Sequence, residues 1–219
     1  MKTLKSCVSA GALALAILAP GAASASVEVL DEGFDNVPAL PGWIFTNNST
    51  PAGNTWFQGN PGIFQAQSGA ANSYAAASFL GSEGGFGMVD NWLISPVLSL
   101  TGLTNLSFWT RHEELAGFND VLEVRFASGS SGDTAGFTTL LGTIGGAGGY
   151  PADWTQWSGN LNVEGQGRFA FRYVGAADTL NYIGLDTVRV VTAVPEPSLY
   201  AMLFLGLGAL GFARRKSPN

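Results

Sequence analysis

His112 is the only histidine in the chain and Cys7 its only cysteine, so nucleophilic chemistry is poorly supplied. A serine or cysteine nucleophile needs a base within reach, and here that base could only be His112, on or just after a strand and next to Glu113 and Glu114. No Gly-x-Ser-x-Gly elbow is present. His112-Glu113-Glu114 opens like a zinc-protease motif, but Ala116 stands where the second histidine belongs. One histidine without cysteines leaves zinc short of ligands. Fifteen acids between Ser26 and Ala193 could furnish a carboxylate pair for glycosidic work, yet no spacing singles one out. The expectation is a protein without turnover.

Hard-oxygen metal chemistry is better provided. Asp186 shares strand parity with Val188 and Val190, so it should face the core with them. A buried carboxylate requires a cation or several donors. Glu32 and Asp35 lie near the first strand, and first and last strands commonly meet in a sandwich. Glu32, Asp35 and Asp186 are therefore candidate ligands of a structural Ca2+, completed by carbonyls from glycine-rich loops. Equally open is that Asp186 pairs with Arg172 or caps a turn. Among 25 aromatic residues, Tyr150, Trp154, Trp157 and Tyr182 occupy polar, loop-rich stretches. Exposed rings of that kind stack on sugars, and the alternative for all four is packing within the core.

Such residues must be held by strands. Thirty glycines, 46% apolar residues and only 12% charged residues suit short strands joined by tight turns, and argue against a helical bundle. Leu122, Val124 and Phe126 alternate with Glu123 and Arg125; Phe169, Phe171 and Tyr173 alternate with Arg168, Ala170 and Arg172. Leu106 and Phe108 alternate with Ser107 and Trp109. Each pattern is a strand with one buried face. Twelve or so such segments between 26 and 193 predict an all-β, jelly-roll-like antiparallel β-sandwich. The net charge is −6, and within Ser26–Ala193 fifteen acids face five arginines, a balance of −10. That sign excludes nucleic acid as a partner.

Both termini carry sorting information. Lys2 and Lys5 precede an apolar run from Val8 to Ala19 and the small residues Ala23-Ser24-Ala25, the layout of a signal peptide cleaved between Ala25 and Ser26. Cleavage removes Cys7, so stability must come from burial, with or without metal, instead of from disulfides. At the other end Pro195-Glu196-Pro197 precedes a 15-residue apolar run, Leu199 to Ala213, and then Arg214, Arg215 and Lys216. The run would extend about 22 Å as a helix against a core of ~30 Å; with Ser198 included and the arginines snorkelling, a transmembrane helix over 198–213 is expected. The basic cluster should stay cytoplasmic, leaving the body outside. Gly206-x-Gly208-x-x-Gly211 spells a dinucleotide fingerprint but lies inside this run, with no strand before it.

The tail resembles the PEP-CTERM sorting signal. That resemblance implies an exosortase-type enzyme as partner, a transient stay in the inner membrane, and delivery to the cell surface or extracellular matrix of a Gram-negative bacterium that makes exopolysaccharide. The chain then divides into a signal peptide (1–25), the sandwich (26–193) and a sorting signal (194–219). The body resembles the choice-of-anchor J domain, a relative of cleaved-adhesin and MAM-like jelly rolls. Its matching pieces are Glu32-Gly33-Phe34-Asp35 with Pro41-Gly42-Trp43, Asn91-Trp92-Leu93-Ile94-Ser95-Pro96, Leu106-Ser107-Phe108-Trp109, Asp120-Val121-Leu122-Glu123-Val124, Trp154-Thr155-Gln156, Phe169-Ala170-Phe171-Arg172-Tyr173 and Tyr182-Ile183-Gly184-Leu185-Asp186-Thr187-Val188. Related jelly rolls hold a structural calcium near the first and last strands. Together these imply a non-enzymatic surface or matrix protein, or alternatively a carbohydrate-binding module for exopolysaccharide.

Overall fold

Ten strands, all paired antiparallel, make up the body of the computed structural model, which describes residues 25–194 together with Leu207. Apart from Ala25 and Leu207, the expected signal peptide, transmembrane helix and basic cluster lie outside the described residues. In chain order the strands are β1 Ser26–Glu32, β2 Ile44–Asn47, β3 Phe57–Gln58, β4 Ala75–Ser78 and β5 Met88–Ile94. They continue with β6 Leu98–His112, β7 Val121–Ser128, β8 Thr139–Gly145, β9 Thr155–Ala176 and β10 Tyr182–Ala193.

The 22-residue β9 belongs to both layers of the sandwich. From Thr155 to Gly167 it pairs with β6, whose other edge carries β10. From Gly167 to Ala176 it lies between β5 and β7, with β2 outside β5 and β8 outside β7. The chain turns over at Gly167, where an added Cβ would lie 2.4 Å from the Phe126 ring. The layers meet through the alternating residues read from sequence. Leu106, Phe108, Leu122, Val124, Phe169, Phe171 and Tyr173 are all fully buried. Phe108 on β6 stacks on Trp157 and meets Phe171 edge-on, both at 5.1 Å between ring centroids.

A second apolar cluster lies on the outside of the first layer. Phe64, Tyr74, Ala76 and Tyr182 are buried there, with Trp154 packed against them. The 59–74 segment supplies most of this cover, and Tyr74 Oη anchors it by donating to the carbonyls of Asn60 and Phe64. β4 is thereby enclosed on both faces: Ala75 and Ala77 join the main core and Ala76 the outer cluster. A run of alanines suits a strand with no room on either side.

At one pole the body closes on itself. Ser26 pairs with Ala193, and the Val194 N–H donates to the Ala25 carbonyl at 2.8 Å. The opposite pole carries the 79–88, 113–120 and 177–181 connections, joined by backbone bonds such as Ala177 N–H to the Gly87 carbonyl, 2.9 Å.

Candidate functional site

Two strand irregularities shape the region of the candidate metal ligands. Ile183 and Leu185 point into the main core, so Gly184 and Asp186 point outward. The register then shifts between Asp186 and Arg189, with Thr187 at φ 50, and Val188 and Val190 return to the core. The bulge corrects the parity expected from sequence: Asp186 does not share a face with the valines. It is nevertheless fully buried, because the 59–74 segment lies over it. Its Oδ2 accepts the backbone N–H groups of Gln67 (2.8 Å) and Ser68 (3.1 Å), and Oδ1 accepts from Thr187 Oγ1 at 3.2 Å. Burial pushes its pKa up to about 6, against the opposing pull of those donors. Its donors thus come from the bend at Gln67 and Ser68 and from the neighbouring Thr187. Arg172 is engaged elsewhere, by Asp90 at 2.6 Å and Glu123 at 3.0 Å.

A depression of about 350 Å³ opens beside this carboxylate, lined in part by Asp35, Ser68, Gly69, Thr187 and Arg189. Asp35 Oδ1 accepts from Ser73 Oγ at 2.7 Å. Glu32 sits opposite Val188, and its Oε1 accepts the Phe34 N–H at 2.8 Å. Asp31 also lines the space but is held by Arg189 through two bonds of 3.1 Å. The structure thus brings Asp35 and the Asp186 loop together, with Glu32 at the margin. Among the described residues no group of three or more His, Cys, Asp or Glu side chains is placed to hold an ion. Calcium there would need carbonyl and hydroxyl oxygens as well, which Ser68, Gly69 and Thr187 can offer.

The four singled-out aromatics form no shared exposed platform. Tyr150 and Tyr182 are buried, and burial raises the pKa of both phenols. Tyr150 Oη lies 2.5 Å from Thr110 Oγ1. Trp154 is half-buried in the outer cluster, its Nε1 donating to the Gln65 carbonyl at 2.9 Å. Trp157 is half-buried against Phe108. For the two tyrosines the core alternative is the one realised, since loop-rich sequence does not reveal what packs over a loop.

Sequence reasoning passed over Asp120, which is fully buried. It accepts from Tyr173 Oη and from the Asn181 N–H (2.9 Å), and its Oδ2 lies 3.0 Å from His112 Nδ1. His112 is thus half of an Asp–His pair, but among the described residues no hydroxyl is hydrogen-bonded to it. The network ties the 113–120 connection to β6, to β9 and to the 177–181 connection. Its sequence signal was a lone acid ahead of an apolar strand.

Comparison with known proteins bears on both parts of the chain. Residues 193–217 match the PEP-CTERM protein-sorting motif. No curated protein matches the sequence. The body is similar to the K1 cleaved adhesin domain of Lys-gingipain from Porphyromonas gingivalis W83, at 29% identity and a TM-score of 0.59, over 74% of this chain and 96% of that one. The K3 domain of the same protein is similar at 27% identity and a TM-score of 0.57, over 77% and 99%. The K2 domain, at 19% identity and a TM-score of 0.54 over 76% and 99%, shares the fold. Choice-of-anchor J itself is not among these likenesses.

Proposed function

We propose that the chain is a non-enzymatic cell-surface or extracellular-matrix protein, exported, held for a time in the inner membrane by its tail, and processed by an exosortase-type enzyme. The observation that carries this reading is the sorting motif over 193–217, beginning on the last residue of β10. The sandwich is complete by Val194, so cleavage at or beyond Pro195 would cost the body none of its ladder. Pro195 and Pro197 also disfavour helix in the residues before them, which suits a peptide that an enzyme must grip. Likeness to cleaved adhesin domains supports an adhesive or matrix role for the body.

A structural Ca2+ fits this reading. The donors around Asp35 and Asp186 are hard oxygens, and Asp186 is a buried carboxylate with no cationic partner among the described residues. Such an ion would fasten the 65–69 loop to the bulge in β10, a role disulfides fill in other exported domains. A second reading, a carbohydrate-binding module for exopolysaccharide, is favoured by an uncovered polar face around Trp109.

Mass spectrometry of the protein recovered from the native cell surface tests the main reading. A mature chain that starts at Ser26 and ends near Pro195 is expected. An intact carboxyl end at Asn219 would overturn it.

A further inference from the structure

The outer cluster covers only the upper half of the β1–β10–β6–β9 layer; the other half of that face is open. On β6 the outward residues are Leu103, Asn105, Ser107 and Trp109, and directly opposite on β9 stand Asn162, Asn160, Ser158 and Gln156. All four β9 residues are exposed, Leu103 is 65% exposed, and Trp109 is half-buried. Asn105 Nδ2 donates to Asn160 Oδ1 at 2.8 Å, so the two amides are held as a pair. Beside them is a depression of about 220 Å³, with Leu103 and Val191 supplying its apolar wall. At the other end of the row, Trp109 Nε1 makes no hydrogen bond among the described residues, as is also true of Trp43 and Trp157, whereas the indoles of Trp56, Trp92 and Trp154 each donate one.

The chemistry of this strip is specific. Its eight facing side chains on β6 and β9 carry no formal charge, although the body has a balance of −10. Of the charged neighbours on this face, Arg189, opposite Ser107, is paired with Asp31 and Glu28; Arg111, two residues beyond Trp109, lies over the Phe64 ring; and Asp186, opposite Trp109, is buried under the Gln67 and Ser68 amides. Amides and hydroxyls present donors and acceptors together, which matches sugar hydroxyls. The partly exposed Trp109 indole offers apolar ring surface with one donor at its rim. From Leu103 to Trp109 the strip runs about 20 Å at the rise of a strand, room for several consecutive sugar rings. Anions are repelled by the body as a whole.

We propose that this face binds an uncharged polysaccharide laid along β6, one ring on Trp109 and the following rings hydrogen-bonded by Ser158, Asn105, Asn160 and Asn162. The proposal rests on the second reading above and names its site, one distinct from Tyr150, Trp154, Trp157 and Tyr182.

The test is native affinity electrophoresis of the full chain in polyoxyethylene-detergent micelles. The gels contain hydroxyethylcellulose, galactomannan, dextran or a β-1,3-glucan, with alginate as the anionic comparator. Retardation by at least one neutral polymer and none by alginate is expected. Trp109→Ala should weaken that binding about tenfold. The double variant Ser158→Ala/Asn162→Ala changes only exposed side chains, so it should weaken binding several-fold with an unchanged melting temperature. Free migration in every neutral gel, or retardation by alginate alone, overturns the proposal. Retardation that survives both variants but is lost in Trp154→Ala overturns the face while leaving a carbohydrate module standing. A processed terminus near Pro195 in a protein that no polysaccharide retards removes the glycan reading and leaves the surface-protein reading intact.

Discussion

Gly184 is where the outer cluster rests on β10, and adding one methyl group there should loosen it. A Cβ at this position would lie 2.8 Å from both Phe64 Cε2 and Trp154 Cη2, and 3.0 Å from Tyr74 Cδ2. All three are atoms of rigid rings. Two of the rings are further tied, Tyr74 Oη to the Asn60 and Phe64 carbonyls and Trp154 Nε1 to the Gln65 carbonyl. Overpacking of this kind costs about 1–3 kcal/mol. Replacing a strand glycine by alanine recovers about 0.4–1 kcal/mol from the unfolded chain. Gly184→Ala should therefore lose about 1–2 kcal/mol net, or about 2–8 °C in Tm for a domain of this size. Gly148→Ala is the matched control: nothing lies within 4 Å of its Cβ, so its Tm should hold or rise. Calorimetry measures both, and hydrogen exchange at the Gln67 and Ser68 amides reports whether the 59–74 segment has lifted from Asp186. A Gly184→Ala protein as stable as the parent, with those amides equally protected, would refute the packing argument.

Phe108→Ala removes a fully buried ring between Trp157 and Phe171, so thermal melting should show a loss of about 3–5 kcal/mol and a Tm lower by about 6–20 °C. Burial pushes the Glu123 carboxyl up, but Arg125 and Arg172 hold it below its usual value, so its contribution is present above pH 4.5 and fades as pH falls through the depressed value. Glu123→Gln should accordingly cost about 1–2 kcal/mol at pH 7, and urea titrations should show the gap to the parent narrowing below pH 4.5. For calcium, free metal at a hundred times Kd stabilises a folded site by about 2.7 kcal/mol. A chelator should then lower the Tm by about 5–11 °C, Asp186→Asn should abolish the response, and a melt indifferent to both ends the metal assignment.

Much of the scaffold was legible because strand parity is a local property. The alternations at Leu122–Phe126 and Phe169–Tyr173 each put one residue in two against the core, and those residues are buried; Ala170, read as lying on the wet face, is buried as well, in a cluster with Trp92, Ile94 and Phe137. The sorting motif was legible for a similar reason, since prolines, an apolar run and a basic cluster act through composition and order. The site was less legible. Asp186 followed its valines by parity until the bulge at Thr187 turned it to the other face. Tyr150 and Tyr182 sit in loop-rich sequence yet are buried by segments distant along the chain. Trp109 is legible as the outward residue of an alternating strand, but nothing in its sequence surroundings marks it as a ligand contact.

Fold class, the acidic and cysteine-free body, and the sorting motif behind it follow from the order of residues, because these depend on composition and on neighbours within a few positions. The tertiary structure alone decided which aromatic rings are covered, which carboxylate is desolvated, and which face of the first layer stays open. Those outcomes depend on where the 59–74 segment lies against a strand more than a hundred residues further along, and on a one-residue bulge that reverses the strand's facing. No periodicity in the chain encodes either contact.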